Sequence, residues 1–547
     1  MRTAARSTKR SAASLEPSTP SQQSRLARSA ASAGAATMTS RILGLARDQV
    51  LASMFGAGNA MDAFNVAFRI PNVVRDLFAE GAMTAAFVPV FMQQLASGER
   101  TAAWRLGNNA INALLVVTGV LVVGGIAFAR PLVTAFAADY AAVPGKLELT
   151  VLLTRIMLPF LTLVALAAVF MGMLNSLHRF FVPALAPAMF NVATIVCALL
   201  LVPLMPRFGV PPITAIAIGA LVGGFGQLLI QWPLLRREGF AYRPFLDWKQ
   251  DALRRVLLLM GPGTIGLAAT QINVFVNTVL ATHEGTGAVS WLNYAFRLMY
   301  LPTGLFGVSI ATATVPAVSR QAAQHNEAAV RSTLADGLSL MLVLNVPATV
   351  GLIALSHPIV RVIFERRAFL PSDTLATAAA LQYYAVGLLG YSIVRIAAPT
   401  FYALGDSRTP VQISVVAVLV NAVLNVVLAE LFGYRGLALG TSIAALFNAA
   451  GLLWLLRRRL DGLDDRRLLS SFSRIAMASV VMGGAALLIE RLLSQWIAGD
   501  AFLSQALRLA LTIGFALVVL ATTAHVLRIR EFREAIALVL KRSGSGA

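Results

Sequence analysis

Long apolar stretches alternate with short polar connections along almost the whole chain. Each stretch reaches about the 20 residues that an α-helix needs to cross the hydrocarbon core of a bilayer. We therefore predict an all-α polytopic membrane protein with about fourteen transmembrane helices. The predicted spans are 36–56, 61–95, 104–128, 149–176, 183–205, 212–235, 254–281, 288–320, 333–355, 375–404, 410–431, 435–457, 471–493 and 503–527.

Two of these spans, 61–95 and 288–320, are longer than a bilayer requires and carry charges, so we expect them to tilt or to extend beyond the membrane. The connections predict the orientation, because Lys and Arg are enriched on the cytoplasmic side of membrane proteins. They concentrate in every second connection, including 236–255 and 457–467. This pattern predicts a multi-pass inner-membrane protein with both termini in the cytoplasm.

An internal repeat divides the chain into two similar halves. The sequence NVAFR at 65–69 recurs as NYAFR at 293–297, 228 positions later, and Pro183 matches Pro410 at an offset of 227. These offsets equal six predicted spans. They indicate two six-helix lobes of parallel topology in a pseudo-twofold arrangement, which in transporters enclose a central cavity.

The repeat also sets the predicted domain boundaries. The first lobe covers 36–235, the second covers 254–457, and 471–527 form an additional pair of transmembrane helices. Residues 1–35 are rich in Ser, Ala and Arg and poor in large apolar residues, which predicts a disordered cytoplasmic tail. Residues 528–547 form a second cytoplasmic tail.

Composition excludes several classes of protein. The chain is 57% hydrophobic and 13% charged, far too apolar for a soluble protein of 547 residues. Its formal net charge of +20 would suit a nucleic-acid partner, but the basic residues lie between apolar runs and are not interleaved with aromatic residues. The single cysteine, Cys197, excludes disulfides and cysteine-based metal sites.

Ionisable residues at membrane depth are costly and therefore ask for an explanation. The first two spans hold an unusual number of them: Arg41, Arg47, Asp48, Asp62, Arg69, Arg75, Asp76 and Glu80. The eighth span, which is the copy of the second in the repeat, keeps only Arg297 among the matching positions.

Two interpretations of these charges remain open. The acids could each pair with an arginine, since Arg41 and Asp48, seven positions apart, share a helix face. Arg47, Arg75 and Arg297 come from three spans and both halves, so we expect them to converge and attract an anion instead of satisfying local acids. A diphosphate fits best, because a guanidinium binds phosphate oxygens bidentately and stays charged at any depth.

Several motifs resemble the lipid II flippase family MurJ, also called MviN. They are SRILGLARD at 40–48, FGAG at 55–58, AFRIPN at 67–72 and FAEGA at 78–82. The resemblance implies the fourteen-helix exporter fold of the multidrug/oligosaccharidyl-lipid/polysaccharide superfamily, with a lipid groove formed by the last helix pair. It implies a transporter, not an enzyme, that moves undecaprenyl diphosphate carrying a disaccharide-pentapeptide to the periplasmic leaflet by alternating access.

The resemblance also assigns candidate residues. It carries the substrate-binding role to Arg47, Arg75 and Arg297, with Arg41, Asp62 and Glu80 also at positions that the family uses. Many relatives have an acidic residue where this chain has Phe296. No metal site or cofactor is predicted, and coupling to a monovalent cation or to the membrane potential is left open. The expected partners are lipid II and membrane lipids, without nucleic acid, and the expected state is a monomer.

Three alternatives remain beside this hypothesis. A related exporter of drugs or other lipid-linked oligosaccharides would share the fold, but a cation exporter would favour acidic and aromatic cavity linings over arginine. A glycosyltransferase would need an acidic general base near the outer face, and no catalytic constellation is visible. A scaffold without transport activity would not explain the charges within the membrane.

Overall fold

The computed structural model describes residues 20–77, 83–98, 100–497, 499 and 501–532, and the regular structure within them is helical. Short 3-10 helices lie at Ala138–Ala142 and Met205–Phe208, and a π-helical segment lies at Thr303–Gly307. The α-helices are α1 (Pro20–Phe55), α2 (Asn59–Arg75), α3 (Thr84–Ala96), α4 (Arg100–Ala127), α5 (Ala129–Phe136), α6 (Lys146–Met157), α7 (Phe160–Ser176), α8 (Phe181–Leu201), α9 (Thr214–Arg237), α10 (Asp251–His283), α11 (Ala288–Pro302), α12 (Val308–Ala323), α13 (Glu327–Ala354), α14 (Ser356–Phe364), α15 (Pro371–Ala403), α16 (Arg408–Phe432), α17 (Tyr434–Arg459), α18 (Asp465–Trp496) and α19 (Phe502–Val526).

Each predicted span coincides with one helix or with two consecutive helices. The prediction of an all-α polytopic membrane fold is confirmed: among the described residues, ten helices are long and apolar enough to cross a membrane. The count of about fourteen stays a prediction. The two long spans are interrupted, because α2 and α3 share 61–95, and the π-helical segment after Pro302 divides 288–320.

The structure differs from the sequence prediction at the N-terminal tail. Helix α1 begins at Pro20, so residues 20–35 are helical where a disordered tail was expected. Their Ala and Arg residues favour a helix, and proline is well tolerated in a first helical turn. After α19, Ile529 and Glu531 are buried, and Glu531 accepts a 2.6 Å hydrogen bond from the Ser471 hydroxyl of α18. Residues 1–19 and 533–547 lie outside the described residues.

The two halves of the repeat fold alike. The short helices α5 and α14 each follow a long helix, α4 and α13, at corresponding positions of the two halves. In the first half α1 packs on α8, and α9 packs on α7 and α8. In the second half α17 packs on α15 and α16, and α13 packs on α15. In the terminal pair, α18 packs on α13 of the second half, and α19 packs on α18 and α14.

The apolar cores show where the halves meet. One end of the bundle contains the α1–α2 turn at 56–58 and is called the turn end here. There a single apolar cluster joins α2, α6 and α9 of the first half to α11, α14 and α15 of the second. The opposite end contains the 238–250 linker between α9 and α10 and is called the linker end. There each half has its own cluster. The halves are therefore fused at the turn end and separate towards the linker end.

The linker between the halves is fixed to the first half. Three asparagines of α4 donate hydrogen bonds to backbone carbonyls of the linker. Asn108 Nδ2 donates to the Ala241 carbonyl at 2.9 Å, Asn109 Nδ2 to that of Asp247 at 2.7 Å, and Asn112 Nδ2 to that of Phe245 at 2.9 Å. Helix α10 follows the linker, and its first turns pack on α3 and α4 of the first half. The same helix also contacts α16 and α17 of the second half. Helix α10 thus crosses from one half to the other.

Candidate functional site

A cavity of about 1130 Å³ lies between the two halves. Helices α1, α2, α7, α8 and α9 line it from the first half, and α10, α11, α15, α16 and α17 line it from the second. Its charged lining residues are Arg41, Arg47, Asp48, Arg69, Arg75, Asp76 and Arg297. Five arginines against two aspartates give these lining residues a net charge of +3, which suits an anionic ligand.

Asp48 of α1 joins arginines from both halves. Its Oδ1 accepts hydrogen bonds from Arg47 Nε at 3.1 Å and Nη2 at 2.7 Å. Its Oδ2 lies 2.5 Å from Nη1 of Arg297 on α11, an ion pair without hydrogen-bond geometry. Arg47 also lies over the Phe190 ring, 5.1 Å from its centroid. One carboxylate therefore holds two guanidinium groups at the same place in the cavity.

Arg75 pairs with the next residue in the chain. Its Nε and Nη2 donate to Asp76 Oδ1 at 2.8 and 2.6 Å, and both side chains keep some exposure. The expectation that Arg47, Arg75 and Arg297 would not satisfy local acids is therefore wrong for this conformation, because each contacts an aspartate. Since Asp48 serves two of them, the arginines still exceed the acids among the described residues that line the cavity.

Two other cavity arginines have no carboxylate within 4 Å among the described residues. Arg41 lies against the backbone of Gly304 in the π-helical segment, where a Cβ atom would come within 1.5 Å of Arg41 Nη1. A side chain at position 304 would thus displace the guanidinium. Arg69 lies within electrostatic range of Arg75, Asp76, Arg297 and Tyr384. Arg69 was noted in the sequence as an intramembrane charge but was not assigned to the site.

Asp62 does not line the cavity, although the resemblance places it in the site. It is fully buried and pairs with Lys146 Nζ at 3.0 Å. Its carboxylate also accepts bonds from the backbone N–H groups of Gly287 and Ser290, at 2.7 and 3.1 Å, and from the Ser290 hydroxyl at 2.7 Å. A carboxylate is favoured at a helix N-terminus, where backbone N–H groups lack partners. Asp62 thus ties α2 to the start of α11 at the turn end.

Repeat-related residues meet directly beside this contact. Asn293 Nδ2 donates to Asn65 Oδ1 at 3.1 Å, and these two residues are 228 positions apart. The Asp62–Ser290 pair has the same separation. Thr286 also donates its hydroxyl to Asn59 Oδ1 at 2.9 Å. The pseudo-twofold axis therefore passes through the closed turn end.

Sequence reasoning brought some of these residues together and missed others. Arg47 and Arg297 were predicted to converge, and Asp48 joins them, whereas Glu80 lies outside the described residues. Lys146 was missed, because it lies 84 positions from Asp62 in the chain. The only signal in the sequence was that a buried aspartate needs a cation as its partner. Tyr300 on α11 and Tyr384 and Tyr391 on α15 also line the cavity and were also missed, because aromatic residues in an apolar helix usually indicate ordinary packing.

The fold and the cavity together define a class of protein. Two repeated helical lobes are joined at one end of a cationic chamber within a membrane bundle, which is the architecture of a secondary transporter. The sequence profile described as "Lipid II flippase MurJ" matches residues 51–507. The chain belongs to the lipid II flippase MurJ family.

Individual relatives agree with this assignment. A probable lipid II flippase MurJ of Vibrio cholerae is 36% identical over 482 residues, covering 86% of this chain and 91% of the relative. The lipid II flippase MurJ of Burkholderia cenocepacia is 34% identical, covering 82% and 87%.

Solved structures agree as well. A lipid II flippase MurJ in an inward closed conformation matches with a TM-score of 0.74 and 27% identity, covering 90% of this chain and 99% of that one. An inward-facing multidrug transporter of the MATE family matches with a TM-score of 0.65 over 78% of this chain and 96% of its own. At 17% identity, this second likeness concerns the fold alone.

Proposed function

We propose that this chain translocates lipid II, the undecaprenyl diphosphate-linked disaccharide-pentapeptide precursor of peptidoglycan, from the cytoplasmic to the periplasmic leaflet of the bacterial inner membrane. The observation that carries the proposal is the excess of arginine over aspartate in one cavity between two repeated lobes. A diphosphate is the part of the substrate that such a site recognises, because guanidinium groups bind phosphate oxygens in pairs.

The aspartates hold the arginines in place before the substrate arrives. Arg41 and Arg69 offer guanidinium groups without carboxylate partners among the described residues, and Arg47 and Arg297 share a single carboxylate. A diphosphate entering the cavity gives these groups a second anion. Asp48 and Asp76 remain beside it and keep the arginines oriented, so binding needs little reorganisation of the site.

The transport cycle is alternating access. In the proposed orientation both termini are cytoplasmic, the turn end is periplasmic and the linker end is cytoplasmic. The conformation described here is closed at the periplasmic end by the shared apolar cluster and by the Asp62 contacts with α11. Release requires the halves to separate there and to approach each other at the cytoplasmic end. The lipid tail stays in the bilayer or in the groove of α18 and α19.

The membrane potential supports this direction of transport. An inside-negative potential favours outward movement of an anion by about 2.3 kcal/mol per charge per 100 mV. Voltage can therefore drive the cycle without nucleotide. The active unit is a monomer, because one chain contributes both halves of the cavity. An exporter of cationic drugs would face repulsion from the same cavity, so the surviving alternative is an exporter of another lipid-linked oligosaccharide.

Substitution of the cavity arginines tests the proposal. Arg47→Ala, Arg75→Ala and Arg297→Ala should each slow the leaflet exchange of labelled lipid II in proteoliposomes at least about tenfold, because a hydrogen bond to a charged group contributes about 1.5–3 kcal/mol. The same variants should fail to support growth of a strain depleted of its own flippase. Arg130→Ala is the matched control, since this arginine is exposed and only loosely paired with Glu148 at 3.5 Å.

The outcome that contradicts the proposal is equally definite. Wild-type exchange rates in all three cavity variants, at equal amounts of inserted protein, would show that the arginines do not bind the substrate. Exchange of another lipid-linked oligosaccharide in preference to lipid II would support the alternative exporter.

A further inference from the structure

The second half contributes an aromatic wall to the cavity. It consists of Phe296 and Tyr300 on α11 and Tyr384 and Tyr391 on α15, all of which line the cavity. The Phe296 ring stacks on Tyr300 with centroids 5.7 Å apart and meets Tyr384 and Tyr391 edge-on at 5.4 and 6.1 Å. These contacts fix four rings into one surface.

Two hydroxyl groups of this wall have no hydrogen-bond partner among the described residues. They belong to Tyr384, which is only 8% exposed, and to Tyr391. The other tyrosines nearby are engaged: Tyr294 donates to the Gly56 carbonyl at 3.4 Å, and Tyr300 accepts a hydrogen bond from Arg395. Both residues line the cavity and neither hydroxyl oxygen is sealed off from it, so both can donate to and accept from a ligand there.

The chemistry of the wall selects the kind of group it can hold. Aromatic faces beside hydroxyl groups match a sugar ring, which has an apolar C–H face and a rim of hydroxyls. Aromatic faces also attract organic cations. The net charge of +3 on the charged lining residues disfavours a cation, whereas a neutral sugar avoids this repulsion.

The wall lies next to the arginines. Phe296 directly precedes Arg297, and Tyr384 lies within electrostatic range of Arg69. A glycosyl diphosphate needs the same arrangement, because its first sugar is bonded to the phosphate and cannot lie far from it.

We propose that the wall formed by Phe296, Tyr300, Tyr384 and Tyr391 binds the first sugar of the lipid-linked substrate while the arginines bind its diphosphate. This inference rests on the proposed function and adds a second subsite to it. Arg395 is a positioning residue, because its guanidinium bonds the Tyr300 hydroxyl and lies 5.5 Å from the centre of that ring. The wall lets the protein distinguish a glycosylated lipid diphosphate from the bare lipid diphosphate.

Two lipids that differ only in the glycan test the inference. Wild-type protein in nanodiscs is titrated with lipid II and with undecaprenyl diphosphate, and binding is measured by native mass spectrometry. The variant Tyr384→Phe/Tyr391→Phe keeps both rings and removes both hydroxyls. It should weaken lipid II binding roughly tenfold, as expected for two neutral hydrogen bonds, and leave undecaprenyl diphosphate binding unchanged. Tyr391→Leu, which also removes a ring face, should show the same selectivity.

A matched control is available on the same helix. Tyr402 of α15 is 52% exposed and does not line the cavity, so Tyr402→Phe should bind both lipids as the wild type does. Arg297→Ala should weaken the binding of both lipids, because it removes a diphosphate contact. Thermal unfolding of each variant in detergent confirms that the protein compared is folded.

Each remaining outcome overturns a stated claim. Equal weakening of both lipids by the double tyrosine variant, or no weakening of lipid II, would refute the sugar subsite and leave the proposed function intact. If wild-type protein binds neither lipid, the proposed function itself fails, and the sugar subsite fails with it.

Discussion

Neutralising Asp62 should open the turn end of the bundle. Asp62→Asn keeps the size of the side chain but removes its charge, and one of its two acceptor oxygens becomes an amide that cannot accept from Gly287. The bonds from Ser290 become neutral and weaker. Hydrogen bonds to charged groups contribute about 1.5–3 kcal/mol each. We therefore expect closure of the turn end to lose about 3 kcal/mol, which is a shift of more than about a hundredfold in the equilibrium.

Disulfide formation across the turn end measures this shift. Asn59 and Thr286 are hydrogen-bonded across the two halves, so Asn59→Cys/Thr286→Cys reports the closed state. The only native cysteine, Cys197, is buried and is replaced by alanine first. Oxidation should cross-link the parent efficiently and the Asp62→Asn variant poorly.

A second substitution separates closure from overall stability. In Asp62→Asn the ammonium of Lys146 is left buried without its carboxylate, which costs about 3–5 kcal/mol of folding stability. Adding Lys146→Met should restore the melting temperature but not the cross-linking, because the contacts to α11 remain lost. Efficient cross-linking in a folded Asp62→Asn variant would refute the role of Asp62 in closing this end.

Further predictions concern Arg41 and the linker end. Gly304→Ala should reduce lipid II exchange at least about tenfold, because the new Cβ would displace the Arg41 guanidinium. Gly307→Ala is the control and should keep most of the activity, because a Cβ there would lie at an ordinary contact distance of 3.4 Å from its nearest neighbour, Arg395 Cδ. Retained exchange in Gly304→Ala would contradict the placement of Arg41. In the α15–α16 connection, hydrogen bonds from the Thr409 hydroxyl and backbone N–H lower the pKa of Asp406. A lowered pKa means that this carboxylate stabilises the fold above the ordinary pKa of aspartate, and that the contribution is lost as pH falls through the lowered value. Thr409→Ala should therefore shrink the loss of thermal stability on acidification, and an unchanged pH profile would contradict this.

Hydropathy and the repeat predicted the helices because the bilayer imposes both helix length and internal hydrogen bonding. Side-chain pairing was not predictable in the same way. Neighbouring residues on a helix do not normally face each other, which favoured Arg41 as the partner of Asp48. The structure instead pairs Asp48 with Arg47, next to it in the chain. The long arginine side chain reaches back to its neighbour inside a cavity, where few other anions are available.

The π-helical segment shows a second limit. Span 288–320 contains Pro302, Gly304 and Gly307, and its excess length over a bilayer predicted a tilt or an extension. The structure places a helix interruption there, with the guanidinium of Arg41 against it. Which of these solutions a long span adopts depends on the neighbouring helix, and a hydropathy pattern does not contain that information.

Contact between Asn65 and its own counterpart Asn293 gives the chain the geometry of a two-chain assembly. In a symmetric dimer the residues on the axis touch their own copies, and every substitution is made twice. Covalent joining of the halves removes that obligation. The two halves can then line the cavity differently: four of the five arginines described there lie on α1 and α2, whereas the tyrosines lie on α11 and α15. A pair of identical subunits would have to present both surfaces on both sides.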